Sequence, residues 1–202
     1  MPLDPPPPPQ VLKYLDNLYD TQQYLELHHS IKRYEDLNNA EVLWRRARAE
    51  WEWLNMKGKR KSTPDLQPIL DIIDQALVAD ESNSSAHRWK AIISNAYSGS
   101  LGMKQQILNL ETMKYHLQRA IELNPSDATV LTLMGCWHIE LLELSWYERK
   151  FATTFLAEIP ECSYEEALEI FLKAEDMAPK AWNRNLFLIG KCYFRLVLAR
   201  SC

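Results

Sequence analysis

Histidine and cysteine are the residues of this chain whose chemistry most often serves catalysis or metal binding, and their spacing supports neither role. His28 and His29 are adjacent, so on a helix they diverge by about 100° and cannot bind one metal ion together. The four cysteines are 26, 30 and 10 residues apart, which matches no zinc or redox motif, so we expect buried free thiols. We therefore predict a protein without catalytic residues, metal or cofactor.

A cluster of basic residues offers a second kind of chemistry, the attraction of an acidic partner. Residues 41–61 contain seven Lys or Arg and three Glu, a local charge of +4 in a chain whose net charge is −4. Four of these residues form a basic run, Lys57, Lys59, Arg60 and Lys61, for which a solvated loop is an equally good interpretation. Nucleic acid is the weaker alternative, because no aromatic residue lies within the run and the sequence pI is about 5.8. The predicted basic patch comprises Arg45, Arg48, Lys57, Lys59, Arg60 and Lys61.

The composition indicates helices as the elements that position these residues. The chain has 202 residues, 47% of them hydrophobic and 25% charged, as in soluble globular proteins. Only 5 Gly and 5 Pro remain after Pro9, too few turn formers for an all-β fold. No stretch approaches the length of a transmembrane helix, and Met1–Pro9 lacks the pattern of a signal peptide, so we expect a cytoplasmic protein.

Small residues recur at spacings typical of helical repeats. Ala76 and Ala120 are each followed 15 residues later by another small residue, as helix pairs that cross closely require. Around Ala174, the spacing of Ala167, Phe171 and Pro179 matches the second helix of a tetratricopeptide repeat. We predict an all-α, tetratricopeptide-like α-solenoid of antiparallel helix pairs.

The chain divides into a short leader and one helical domain. Residues 1–9 are rich in proline; they could form a polyproline II ligand for an aromatic groove, but we favour a disordered leader. Residues 10–202 form the helical-repeat domain. The expected helices cover residues 10–19, 21–36, 40–57, 64–80, 84–98, 105–123, 127–144, 146–157, 163–178 and 183–199.

A concave groove along the first helix of each pair is the second candidate site. A stripe that mixes aromatic side chains with Arg and Lys suits a peptide with apolar anchors and acidic groups, or alternatively a phospholipid. An equally strong alternative is that several of these aromatic residues belong to the core. The predicted groove comprises Trp44, Trp51, Arg88, Ile92, Asn95, Ile139, Phe187 and Lys191.

Several strings resemble the regulator of microtubule dynamics family over about residues 10–195. The most specific is Leu-Ser-Trp-Tyr-Glu-Arg-Lys at 144–150; the others lie at 40–49, 119–125, 163–175 and 188–193. The resemblance implies a tetratricopeptide-like protein that associates with tubulin in microtubules and spindles and acts in chromosome segregation without enzymatic activity. Attraction between the basic patch and the strongly acidic microtubule surface would be physically sensible.

The sequence departs from the family's pattern at both ends. Some members carry an N-terminal membrane anchor, whereas we expect no transmembrane anchor in this chain. Members usually continue past Gly-Lys-Cys-Tyr at 190–193 into another helix, so the last repeat is expected to be incomplete, as in a fragment, a short isoform or a partner-covered end. That end would then fray, dimerise or be covered by the N-terminal helices, because its packing face is left open at Leu186, Ile189, Gly190, Tyr193 and Val197.

Overall fold

The described residues fold mainly into helices. The computed structural model describes residues 3–58, 62–155 and 161–200, and these ranges contain ten α-helices, a 3-10 turn at Lys32–Tyr34 and no strand. The all-α fold class is therefore confirmed. The helices are α1 (Pro9–Asp20), α2 (Tyr24–Ile31), α3 (Ala40–Met56), α4 (Thr63–Ala79), α5 (Ser84–Leu101), α6 (Met103–Leu123), α7 (Ala128–Leu142), α8 (Trp146–Phe155), α9 (Tyr164–Met177) and α10 (Asn183–Arg200).

Side-chain caps explain why several helices begin where the sequence predicts. The Asn39 and Asn83 side chains accept hydrogen bonds from the first turns of α3 and α5, and Asp127 does the same for α7. Ser163 and Glu166 form a capping box at the start of α9. These short polar side chains satisfy backbone N–H groups that a helix cannot pair internally, so the local sequence fixes the helix starts.

Helix α2 departs most from the predicted helix boundaries. The sequence predicts one helix over residues 21–36, whereas α2 begins at Tyr24 and ends at Ile31, where the 3-10 turn at Lys32–Tyr34 follows. Gln22 adopts a φ of 59°, in the left-handed region, and interrupts the helix between α1 and α2. The shape of this turn depends on how α1 and α2 pack, which the apolar periodicity alone does not encode.

The described chain forms two compact units, one ending at Gly102 and the other beginning at Met103. In the first unit, α3 carries apolar side chains on two faces. Val42 and Ala49 pack with α1 and α2, while Leu43 and Ala47 pack with α4 and α5. Helix α3 is therefore the central element of this unit. Because it lies between two apolar clusters, most of its side chains are shielded from water.

The second unit is built around α7, which packs against α6 and α9. Gly135 of α7 faces the ring of Phe171 of α9, and a Cβ added at Gly135 would lie 2.5 Å from the Phe171 Cε1 atom. The missing side chain thus lets the two helices approach closely, as the repeat spacing predicts. Leu188 and Cys192 of α10 are buried in the same cluster as Phe171.

Helix α10 exposes a broad apolar face on the side opposite Leu188. Leu186, Tyr193 and Val197 of the predicted open face are 42%, 51% and 62% exposed, whereas Ile189 packs partly against the cluster. Within the described ranges, no helix combines the length and hydrophobicity that crossing a bilayer requires.

Residues 3–8 precede α1 without regular secondary structure, where the sequence predicts a disordered leader over residues 1–9. Asp4 is hydrogen-bonded to Asn38 through its backbone N–H and its carboxylate. Pro9 is the first residue of α1.

Two glycine substitutions test the close approach of α7 and α9. Gly135→Ala should lower the free energy of unfolding by about 1–3 kcal/mol, because the added methyl group collides with the Phe171 ring. A Cβ added at Gly190, in the middle of α10, has no atom within 4 Å, so Gly190→Ala should raise the free energy of unfolding by roughly 0.5–1 kcal/mol through helix propensity. Urea denaturation followed by circular dichroism measures both. Equal effects of the two substitutions would contradict this packing.

Candidate functional site

The basic run after α3 is only partly within the described residues. Lys57 directly follows the last residue of α3, is exposed, and places its Nζ atom 4.8 Å from the centre of the Trp53 ring. This distance is that of a cation–π contact between the ammonium group and the indole ring. Lys59, Arg60 and Lys61, the other predicted members of the loop, lie outside the described residues.

Arg45 and Arg48, which the sequence places in the same basic patch, are buried instead. They are 7% and 4% exposed, and both bind Asp16 of α1. Arg45 donates from Nε and Nη2 to the two carboxylate oxygens at 2.9 and 2.6 Å, and Arg48 donates from Nη2 at 2.7 Å. Because both guanidinium groups are buried and paired with Asp16, these two arginines do not form an exposed surface with Lys57.

Glu41 and Asn83 extend this group of charges to α5. Arg45 donates from Nη1 to Glu41 Oε2 at 2.6 Å, and Asn83 donates from Nδ2 to Glu41 Oε1 at 2.6 Å. The Asn83 Oδ1 atom in turn accepts the backbone N–H of Ala86 and caps α5. Two carboxylates therefore face the two guanidinium groups, and the chain of hydrogen bonds joins α1, α3 and α5.

Burial and charge act in opposite directions on the pKa of Asp16. Desolvation raises the pKa of this carboxyl, but the hydrogen bonds and positive charges of Arg45 and Arg48 outweigh it, and the pKa is lowered below its usual 3.8. Burial lowers the pKa of Arg48, against the opposing influence of Asp16. Asp16 is thus charged at neutral pH and balances the buried arginines.

Aromatic rings enclose the same guanidinium groups. The Arg45 guanidinium lies 4.1 Å from the centre of the Trp44 ring, and that of Arg48 lies 4.2 Å from the centre of the Tyr19 ring. Tyr19 also meets Trp89 edge-on, with ring centres 6.4 Å apart. These contacts shield the two guanidinium groups from water, which strengthens their ion pairs relative to a fully exposed pair.

The predicted groove residues of the first unit are all buried or half-buried. Trp44 is buried in the apolar cluster between α3, α4 and α5, and Trp51 and Ile92 pack partly buried against it. Arg88 and Asn95 are half-buried on α5. Tyr19 of α1 packs against the same cluster, so the end of α1 covers part of a face that the sequence predicts as an open groove.

Asp16 and Tyr19 are the residues of this arrangement that sequence reasoning missed. The apolar stripe of α1, which includes the buried Leu15 and Leu18, is the feature of this helix that the sequence shows most clearly. Asp16 and Tyr19 are three residues apart and therefore share one face of the helix, beside that stripe. A carboxylate next to an apolar stripe is a signal for a buried cation partner, but nothing in the sequence shows that the partner lies 29 residues away on α3.

The three groove residues predicted in the second unit have different environments. Ile139 is buried in the cluster around Phe171, whereas Phe187 is 70% exposed on α10. Lys191 is half-buried and donates to Glu143 Oε2 at 2.7 Å, and Arg195 donates to the other oxygen at 3.3 Å. Ile139 is therefore a core residue, and Lys191 is already paired with a carboxylate.

Three cavities stand out in the described residues, with volumes of about 770, 230 and 40 Å³. The one with the largest volume is an open groove between α1 and α2, with Tyr14, Tyr24 and Tyr34 on its walls. Neither Trp44 nor Trp51 lines any of the three. The phospholipid hypothesis places an enclosed apolar cavity at these two tryptophans, so these cavities give it no specific support.

Across the described residues, no group of three or more His, Cys, Asp or Glu side chains could hold a metal ion. Cys136 and Cys192 are free and buried, and burial raises the pKa of both thiols. His87 and His138 each use a ring nitrogen to contact a backbone carbonyl, at 2.9 and 3.0 Å. These side chains thus serve packing and hydrogen bonding in the fold.

Comparison with known proteins identifies the same family that the sequence strings resemble. The family model described as Regulator of microtubule dynamics protein 1-3 matches residues 11–198. The chain is 36% identical to regulator of microtubule dynamics protein 1 of Mus musculus over 93% of its own length and 62% of that protein. It is 32% identical to protein 3 of Xenopus laevis over 77% of its own length and 34% of that protein. The chain thus spans about three fifths of the length of the mouse relative, and 60% of the Bos taurus one.

Removing the Asp16 charge should destabilise the first unit. Asp16→Asn should lower the free energy of unfolding by about 3 kcal/mol at pH 7, because two buried guanidinium groups lose their shared carboxylate. Asp20→Asn, on the exposed surface of the same helix, is the matched control and should change it by less than about 0.5 kcal/mol. Urea denaturation measures both. Similar effects of the two variants would show that the Asp16 ion pairs contribute little.

The same ion pairs predict a dependence on pH. A carboxyl whose pKa is lowered by folding contributes stability above its unfolded pKa of about 3.8, and that stability is lost as the pH falls through its lower folded pKa. The stability difference between the wild type and Asp16→Asn should therefore persist from neutral pH to about pH 4 and shrink below it. Urea denaturation at a series of pH values measures the difference. A difference that stays constant below pH 3.8 would contradict the assignment.

Proposed function

Because this chain belongs to the regulator of microtubule dynamics family, we propose that it is a non-catalytic helical-repeat protein that binds microtubules. Its proposed place is the cytoplasmic cytoskeleton, where it acts on spindle microtubules in chromosome segregation. The observation that carries the proposal is the match to the family model over residues 11–198, which includes all ten helices in the described ranges except the ends of the first and last.

The proposed contact is electrostatic and centres on the end of α3. A microtubule surface is strongly acidic, so an exposed cluster of lysines gains attraction that guides association. Lys57 is exposed at the end of α3, and three further basic residues follow at positions 59–61 of the sequence. Arg45 and Arg48 are left out of this contact, because they are buried against Asp16.

The proposal includes the absence of catalysis. Its support is the raised pKa of two cysteine thiols and the contacts of the His28 ring. A cysteine nucleophile needs a lowered pKa, whereas burial raises the pKa of Cys136 and Cys192. The His28 ring stacks on Trp53 with ring centres 4.6 Å apart, and its Nε2 atom lies 3.2 Å from Glu50. Neither arrangement presents a nucleophile together with a base to a substrate.

Co-sedimentation with microtubules at low and moderate salt tests the proposal. The variant that reverses Lys57, Lys59, Arg60 and Lys61 to Glu should lose most of the pelleting seen with the wild type, because like charges then face the acidic surface. Pelleting of the wild type should itself weaken as salt increases.

A second variant controls for net charge. Reversing four exposed lysines far from the run in sequence, Lys13, Lys150, Lys173 and Lys180, gives the same overall charge and should retain pelleting. Equal losses in both variants would show that net charge alone matters, and no pelleting of the wild type at low salt would overturn direct microtubule binding by this chain.

A further inference from the structure

The proline segment before α1 is attached to the start of α3. Asp4 donates its backbone N–H to the Asn38 carbonyl at 3.1 Å, and Asn38 donates its own N–H to Asp4 Oδ2 at 2.8 Å. The Asn39 side chain donates from Nδ2 to the Asp4 carbonyl at 2.9 Å, while its Oδ1 atom caps α3. Three hydrogen bonds therefore fix the residue that immediately precedes the prolines.

The other end of the segment is fixed by α1 itself. Pro8 has φ −49° and ψ 140°, in the polyproline II region, and Pro9 is the first helical residue. Proline suits this first position because a helix leaves its first N–H groups unpaired in any case. Residues 5–8 therefore run between two fixed ends, over roughly 12 Å if they rise as polyproline II does.

Exposure along the segment follows a period of three residues. Asp4 is half-buried and Pro7 is buried, whereas Pro5, Pro6 and Pro8 are exposed. A polyproline II helix has three residues per turn, so Asp4 and Pro7 lie on one edge, which faces the protein. Pro5 and Pro8 share a second edge, and Pro6 lies on the third. The protein thus holds one edge and presents the other two to solvent.

This surface has a chemistry that one class of partner recognises. Proline edges offer flat apolar rings and backbone carbonyl acceptors but no N–H donors. Domains that bind polyproline II receive such edges between exposed aromatic rings, beside side chains that donate hydrogen bonds. A segment already held in this conformation loses less conformational entropy on binding than a free peptide does.

We propose that residues 5–8 are a preformed docking ligand for a polyproline-binding domain of another protein. The ligand consists of the two exposed edges, with Pro5 and Pro8 on one and Pro6 on the other. The hydrogen bonds of Asp4 hold it in the binding conformation. This interaction uses a different surface from the basic run after α3 and is independent of the proposed microtubule contact.

Binding of the full chain to purified WW, EVH1 and SH3 domains, measured by isothermal titration calorimetry, tests the proposal. At least one domain should bind, and the double variant Pro5→Ala and Pro8→Ala should weaken that binding at least about tenfold, because it removes one proline edge. Pro125→Ala with Pro179→Ala, which changes two exposed prolines in turns elsewhere, should leave the affinity unchanged.

A further variant tests whether the segment is held in place. Asp4→Ala keeps every proline but removes the carboxylate that accepts from Asn38, so it should weaken binding about threefold to tenfold without changing the circular dichroism spectrum. Unchanged affinity would overturn the role of the Asp4 carboxylate in holding the segment. No binding by any of the domains, or equal binding of the double proline variant, would overturn the docking site.

Discussion

In the first unit, the carboxylate of Asp16 on α1 lies between two buried guanidinium groups of α3. An unpaired charge in such an environment would be costly, so the burial of Arg48, and in part that of Arg45, depends on α1 presenting this carboxylate. The hydrogen bonds continue through Glu41 to Asn83, which caps α5. The position of α1, the burial of α3 and the start of α5 are thereby coupled through one group of charges.

Steric fit is the corresponding constraint in the second unit. Gly135 allows α7 to approach α9 so closely that the Phe171 ring occupies the space of the missing side chain. The buried cluster around Phe171 then receives Leu188 and Cys192 from α10. The two units therefore use different interactions for the same purpose, which is to bring neighbouring helices together: ion pairs with fixed partners in one and a small residue facing a large one in the other.

Arg45 and Arg48 of α3 and Lys57 directly after it lie in environments that suit their different side-chain chemistry. Arginine forms several hydrogen bonds in a fixed plane and stacks on aromatic rings, which suits Arg45 and Arg48 beside Asp16, Trp44 and Tyr19. Lysine carries a compact and strongly hydrated charge, which suits the exposed Lys57. Of the positive charges that the sequence places in one patch, Arg45 and Arg48 are thus buried within α3, whereas Lys57 directly beyond it is exposed.

The sequence by itself determined the helices and their order, because apolar periodicity and capping residues act within a few neighbouring residues. It also indicated the small residues at which helices cross and the family to which the chain belongs. Only the tertiary structure decided which charged and aromatic residues are accessible. The sequence places Arg45 beside Lys57 in one basic patch, but its partner Asp16 lies on another helix, 29 residues away. Burial and ion pairing depend on contacts between distant segments, and a local pattern does not contain them.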